Sequence, residues 1–167
     1  MTLDRLWAGW RSRYVSEEAG RATACFLCAL DGFGDDEVIA AATLVLERTA
    51  ATVTVMNLYP YGSGHLLVAP RRHVADLESL GDDEAAELMG ALRRAVRAVK
   101  AAYGCDGVNV GFNLGLSAGA GVPGHVHGHV LPRWSGDTNF MTAVAETRVI
   151  PEALETGWEK LRAVWLA

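Results

Sequence analysis

Cysteine is scarce in this chain of 167 residues: three thiols, at Cys25, Cys28 and Cys105. So few argue against a disulfide framework, which small secreted domains use and a reducing cytosol does not sustain. Positive charge is also short, with 15 Lys and Arg against 20 Asp and Glu and a formal net charge of −5. That balance argues against a nucleic-acid partner, whose phosphates require a basic face. It leaves small anions open, because backbone N–H groups and helix N-termini hold phosphate without net positive charge.

No export signal is expected either. The opening MTLDRLWAGWRSRY carries Asp4 and no apolar run long enough for an h-region. The uncharged stretch from Thr49 to Pro70 has membrane-spanning length, but Asn57, Pro60, Gly62, Gly64 and His65 interrupt it. The expectation is a soluble cytoplasmic protein without a membrane partner. Half of its residues are hydrophobic, enough for one well-buried core and one compact domain.

Residues 1–24 are polar with scattered Trp7, Trp10 and Tyr14, and read as an arm laid over a domain spanning 25–167. CFLC at 25–28 leads into a turn-rich link, DGFGDDE. Thr43 to Leu58 is rich in β-branched residues and reads as two strands with a turn near Thr49, and HLLVAP at 65–70 as a third. Residues 82–103 carry an apolar stripe of Leu88, Leu92, Val96, Val99 and Tyr103 at helical spacing. Acids at its start, bases in its later half and Gly104 at its end complete the helix signature. GVNVGFN at 107–113 alternates as a strand, and a helix is expected over about 151–166, with Leu154, Trp158, Leu161 and Trp165 on one face. Short successive strands with one long helix between them give an antiparallel α+β domain.

What is abundant is histidine in one place. GHVHGHVLPRW puts three of the five histidines at 125, 127 and 129. Read as a strand closed by Pro132, the segment projects all three from one face, with Val126, Gly128 and Val130 facing the packing. Three readings compete: a metal site, a catalytic site, or an ordinary strand whose polar face happens to be histidine. A single metal on all three is disfavoured, since ligands at i, i+2 and i+4 of a flat strand diverge. No Asp, Glu, Lys or Arg occurs between Asp106 and Arg133. A site without carboxylates suits a polyanionic ligand, and a neutral imidazole is a competent nucleophile near pH 7. Attack on phosphorus would give a phosphoramidate, and the preceding glycine-rich loop could donate N–H groups to the phosphate oxygens.

His-Val-His-Gly-His-Val-Leu-Pro resembles the motif of the histidine-triad (HIT) family of nucleotide hydrolases and transferases. NLYPYGSGHLLVAPRRHV at 57–74 is similar to the family's second conserved segment, CFLC to its upstream Cys-x-x-Cys, and RWSGDTNFM at 133–141 to the bacterial branch containing diadenosine tetraphosphate phosphorylases. The resemblance implies a five-stranded antiparallel sheet with a long helix and a C-terminal helix, commonly joined into a homodimer. It implies His127 as nucleophile and His129 beside the phosphates. Asn57 falls at the ribose position, His65 on the strand backing the triad, and Asn113 with Ser117, Gly119 and Gly121 in the phosphate-contacting loop; Arg133 completes the implied substrate contacts. It also implies a structural zinc on Cys25, Cys28, His73 and His125, with Mg²⁺ accompanying the nucleotide, whereas Cys105 reads as a small buried hydrophobe. Gly128, where the family has a hydrophobic residue, and Gly121 and Val122, where many hydrolases have Gln and Ser, depart from the pattern.

The expected activity is nucleotidyl transfer on an adenine dinucleoside polyphosphate, with release of AMP from the histidine to phosphate or to water. Phosphate is favoured by the RWSGDTNF stretch. A nucleoside phosphoramidate hydrolase and a nucleotide-binding module with vestigial activity are the alternatives.

Overall fold

The computed structural model describes residues 25–33, 36–138 and 152–165. In chain order these form α1 (Phe26–Ala29), α2 (Glu37–Thr43), β1 (Val45–Arg48), β2 (Thr52–Met56), β3 (Leu66–Pro70), α3 (Asp82–Tyr103), β4 (Gly107–Phe112), β5 (Gly128–Arg133) and α4 (Leu154–Trp165). The strands make one antiparallel sheet in the order β1-β2-β3-β5-β4, the α+β architecture expected from the sequence. The expected arm over 1–24 and the start of the expected last helix at Pro151 lie outside the described residues.

α3 forms where its stripe predicts. Asp82, Asp83 and Glu84 occupy the dipole-positive first turn, and the Glu84 carboxylate accepts the Gly81 N–H at 2.9 Å. Gly104 ends the helix in the left-handed region (φ 54°), where a side chain would be strained. Its buried face is wider than the stripe, because Ala91, Ala95 and Ala98 fill the gaps between Leu88, Leu92 and Val99. α2 lies in the stretch between the turn-rich link and the first strand. Asp36 caps it by accepting the Ile39 N–H at 2.9 Å, a signal present in the sequence but obscured by the neighbouring acids and glycines.

The histidine segment differs from its expected form. The ladder begins only at Gly128, so His125, Val126 and His127 precede β5 and run beside the loop after β3, held there by the Val126 N–H on the Val74 carbonyl at 2.7 Å. Pro132 lies inside β5 rather than closing it. Pairing with β3 stops at Leu66↔Val130, so Pro132 has no partner on the β3 side, and a missing N–H is tolerated on that open side.

Alternation along β5 sorts the two faces. A Cβ on Gly128 would stand 2.9 Å from Leu92 Cδ2, so Gly128 faces α3 and His129 the opposite side. The register pairs His129 with Leu67 on β3 and Gly111 on β4, which places His65 and Asn113, each one alternation away, on the face of His129.

Candidate active site and metal centre

His127 is buried at 5% exposure, and its Nδ1 lies 2.8 Å from the carbonyl oxygen of His125. A carbonyl can only accept, so Nδ1 carries the proton and Nε2 the lone pair. Burial pushes this imidazole below its ordinary pKa, against the opposing pull of the His125 carbonyl. The ring is therefore neutral at pH 7, with a nucleophilic nitrogen at its far end.

His129 is fixed in the opposite sense. The backbone N–H of Tyr61 points at His65 Nδ1 from 3.0 Å, and the Asn57 amide nitrogen lies 3.3 Å from the same atom. A peptide N–H can only donate, so His65 Nδ1 accepts and its proton is on Nε2. That Nε2 lies 3.0 Å from His129 Nδ1, which must then accept. The neutral His129 ring is left with its proton on Nε2, 3.3 Å from Asn113 Nδ2; two donors do not bond, so the tautomer requires the Asn113 amide turned to present its oxygen there. His65 is held neutral, its pKa lowered to about 3 by burial and then by His129 and His127. The rings of His127 and His129 are 5.0 Å apart, so the site presents a lone pair and an N–H side by side.

The other expected contacts are placed unevenly. His65 is fully buried at 0% exposure, which removes it from direct contact with a solute; it works behind His129 instead. Asn57 is half-buried, with its carbonyl accepting the Tyr59 N–H at 3.0 Å. Ser117 is exposed in a single 3-10 turn, Gly119 closes that turn at φ 87°, and Gly121 is half-buried. Arg133 stands on the face of His129, but four residues further, roughly 13 Å along an extended strand. It is bound there to Asp137 and, at 2.7 Å, to Asn109. Tyr61 was not anticipated: besides its N–H, its ring stacks on His129 at 5.6 Å and 24°. The Tyr61-to-His65 spacing in YGSGH was the available signal, whereas the role of the His125 carbonyl has no signature in side-chain identity.

A second cluster adjoins the first. α1 is one helical turn in which Cys25 at the N-cap and Cys28 three residues on come to one side, anchored by buried Leu27. Cys25 Sγ lies 3.2 Å from His125 Nδ1, and Cys28 Sγ lies 3.2 Å from His73 Nδ1 and 3.5 Å from His125 Nδ1. The four ligand atoms all fall within 4.8 Å of one another, against about 3.6 Å between donors around a tetrahedral zinc. His125 Nε2 donates to the Pro70 carbonyl at 2.8 Å, which leaves Nδ1 with its lone pair facing the sulfurs, the tautomer a metal requires. Burial, then hydrogen bonding and charge from Cys25, pushes the Cys28 thiol up to about 11, so paired thiolates here call for a cation. The residues fit a closed Cys₂His₂ site. No comparable group of Cys, His, Asp and Glu occurs elsewhere among the described residues, so nothing there answers the expected Mg²⁺.

Comparison with known proteins agrees with this geometry. The profile described as HIT domain matches residues 40–136, more than half of the chain. The chain belongs to the HIT family. It is 39% identical over 170 aligned residues to the AP-4-A phosphorylase of Mycobacterium tuberculosis, covering 98% of this chain and 85% of that one. The asymmetrical bis(5'-nucleosyl)-tetraphosphatase of Schizosaccharomyces pombe is 34% identical over 93 residues, 56% of this chain and 50% of that one. Among solved structures, a Zn-bound histidine triad family protein from Mycobacterium smegmatis superposes with a TM-score of 0.67 at 27% identity, covering 86% of this chain and 94% of that one. The HIT profile ends before α4, so the last helix of this HIT protein lies beyond the matched region. Among the described residues no helix is long and apolar enough to cross a membrane.

Proposed function

We propose that this HIT enzyme cleaves diadenosine tetraphosphate by phosphorolysis through a nucleotidyl-histidine intermediate. The observation that carries the reading is the pair of opposed tautomers: the lone pair of His127 Nε2 beside the N–H of His129. His127 Nε2 attacks the α-phosphorus, a P–N bond forms, and the P–O bond to the remaining polyphosphate breaks, releasing ATP. The Nδ1 proton of His127 stays on Nδ1, hydrogen-bonded to the His125 carbonyl, whose oxygen offsets the positive charge that gathers on the ring. His129 turns its N–H from Asn113 to a phosphate oxygen, where negative charge builds in the transition state. Phosphate then attacks the nucleotidyl-histidine, the P–N bond breaks, and ADP leaves. Support for the substrate comes from the relatives that act on dinucleoside tetraphosphates.

Cys25, Cys28, His73 and His125 hold zinc, which supplies no chemical step and cross-links α1 to the loop after β3 and to the histidine segment. The cluster geometry and the zinc-bound relative support this. The protein works in the cytoplasm as a homodimer; β4 is an edge strand with Val110 49% exposed, a surface suited to joining two sheets.

Product analysis with diadenosine tetraphosphate, with and without inorganic phosphate, tests the reading. ADP and ATP that form only with phosphate are expected. AMP plus ATP without phosphate would make the enzyme a hydrolase, and full turnover by His127→Ala would remove the intermediate altogether.

A further inference from the structure

Outside both histidine clusters, one set of polar and aromatic side chains joins the C-terminal helix to the active-site turn. Tyr103 is the last residue of α3, and its hydroxyl donates to Glu152 Oε1 at 2.8 Å. Lys160 of α4 binds the other oxygen of the same carboxylate, and its ammonium lies 5.8 Å from the centre of the Tyr103 ring. Gly157 lets the α4 backbone come close to this group: a Cβ there would stand 3.0 Å from the Tyr103 hydroxyl, from Glu152 Oε1 and from Met56. The hydroxyl proton is thus committed to Glu152, and burial together with that bond holds it well above the usual phenol range.

The other side of the ring meets the site. A Cβ on Gly64 would lie 2.5 Å from Tyr103 Cε2 and 2.8 Å from Cζ, so ring and backbone are in direct contact, and Gly64 itself sits at φ +69°. Trp134, just past β5, closes edge-on against the same ring at 6.0 Å. Gly64 immediately precedes His65, the residue that imposes the tautomer of His129. The Tyr103 ring is therefore the floor under the one turn whose placement decides whether His65 Nε2 meets His129 Nδ1.

We propose that Tyr103, braced by Glu152 and α4, is a positioning residue for the transfer reaction, holding the Gly64 turn so that His65 keeps His129 as an Nε2–H donor. This rests on the reading of His127 and His129 given above, and it makes a helix beyond the matched HIT region part of the catalytic apparatus. A turn supported on one side by a rigid ring and on the other by the Asn57 N–H on the His65 carbonyl is displaced when the ring goes, and displacement on the order of 1 Å can cost up to about a hundredfold in rate.

The test combines histidine ¹⁵N NMR with kinetics on the full chain. In the wild type, His129 is expected to show a protonated Nε2 and an unprotonated Nδ1. Tyr103→Leu is expected to bring the two nitrogens of His129 towards averaged tautomers and to lower kcat for diadenosine tetraphosphate by roughly tenfold with KM nearly unchanged. Tyr103→Phe, which keeps the ring, and Glu152→Ala, which removes only the brace, should lie between. These two carry the test if the leucine variant does not fold. A fall in melting temperature with the His129 signals and kcat unchanged would overturn the proposal and leave Tyr103 a packing residue. The NMR arm needs no substrate, so a protein inactive on dinucleotides would sink the proposed reaction while still reporting on the Tyr103 effect.

Discussion

His125 and His127 are linked twice, by the chain and by the 2.8 Å hydrogen bond from His127 Nδ1 to the His125 carbonyl. The first residue lends its ring to the cysteine cluster and its backbone carbonyl to His127. The two sites are therefore joined through a single residue.

The intermediate gives the most direct check. Wild-type protein mixed with diadenosine tetraphosphate in the absence of phosphate should accumulate a nucleotidyl adduct on His127, detectable by mass spectrometry under neutral or alkaline quench. His127→Ala should give no adduct and lose nearly all turnover, while His129→Asn should form the adduct slowly, by a factor on the order of a hundred, since an aligned donor at developing phosphate charge is lost.

The cysteine cluster predicts coupled losses. Cys28→Ser should lower zinc from stoichiometric to a small fraction per chain in metal analysis, with a fall in melting temperature. Because the His125 ring loses its metal anchor and its carbonyl, which fixes His127 Nδ1, moves with it, kcat should fall too, with KM changing less. Zinc loss with undiminished kcat would show that the carbonyl holds its place without the cluster.

Stability against pH follows from His65. Its folded pKa, about 3, is depressed below the ordinary 6.5, so the unfolded chain takes up a proton that the folded one refuses. The contribution of neutral burial is complete above pH 6.5 and is lost as pH falls through that value towards 3. Each pH unit in that window removes up to roughly 1.4 kcal/mol. Urea denaturation across pH 7 to 4 should show this slope in the wild type and a shallower one in His65→Asn.

Gly128 supplies a packing test. A side chain there meets Leu92 Cδ2 at 2.9 Å and the Phe112 ring at 3.1 Å. Gly128→Val should destabilise by about 1–3 kcal/mol through overpacking. Adding Leu92→Ala should return part of that loss, because the two positions share one space and their effects are not additive. Thermal unfolding of the single and double variants measures the coupling.

Much of this was legible in the residues. The helical stripe and its charge pattern located α3 to its ends, and β-branched runs with a turn near Thr49 located β1 and β2. The cluster of Cys25, Cys28, His73 and His125, which the family resemblance drew together from four places in the chain, converges in the structure. The histidine segment was harder. Alternation alone reads as strand from His125 onwards, whereas pairing decides where a ladder begins, and β3 and β4 offer partners only from Gly128. Arg133 looked available because sequence carries no record of Asp137 and Asn109 folding back on it. The tautomers were out of reach for the same reason: they depend on the Tyr61 N–H and the His125 carbonyl, groups every residue has.

The start of β5 between His127 and His129 divides the two imidazoles mechanically. His129 is mounted on the sheet, between two paired strands. His127 is mounted on a short leader tied to the loop after β3 by one backbone bond at Val126. A displacement of that loop is passed to His127 Nε2 and barely to His129 beside it. His129 is thus a fixed jaw and His127 a sprung one, and the Val74 loop carries the spring.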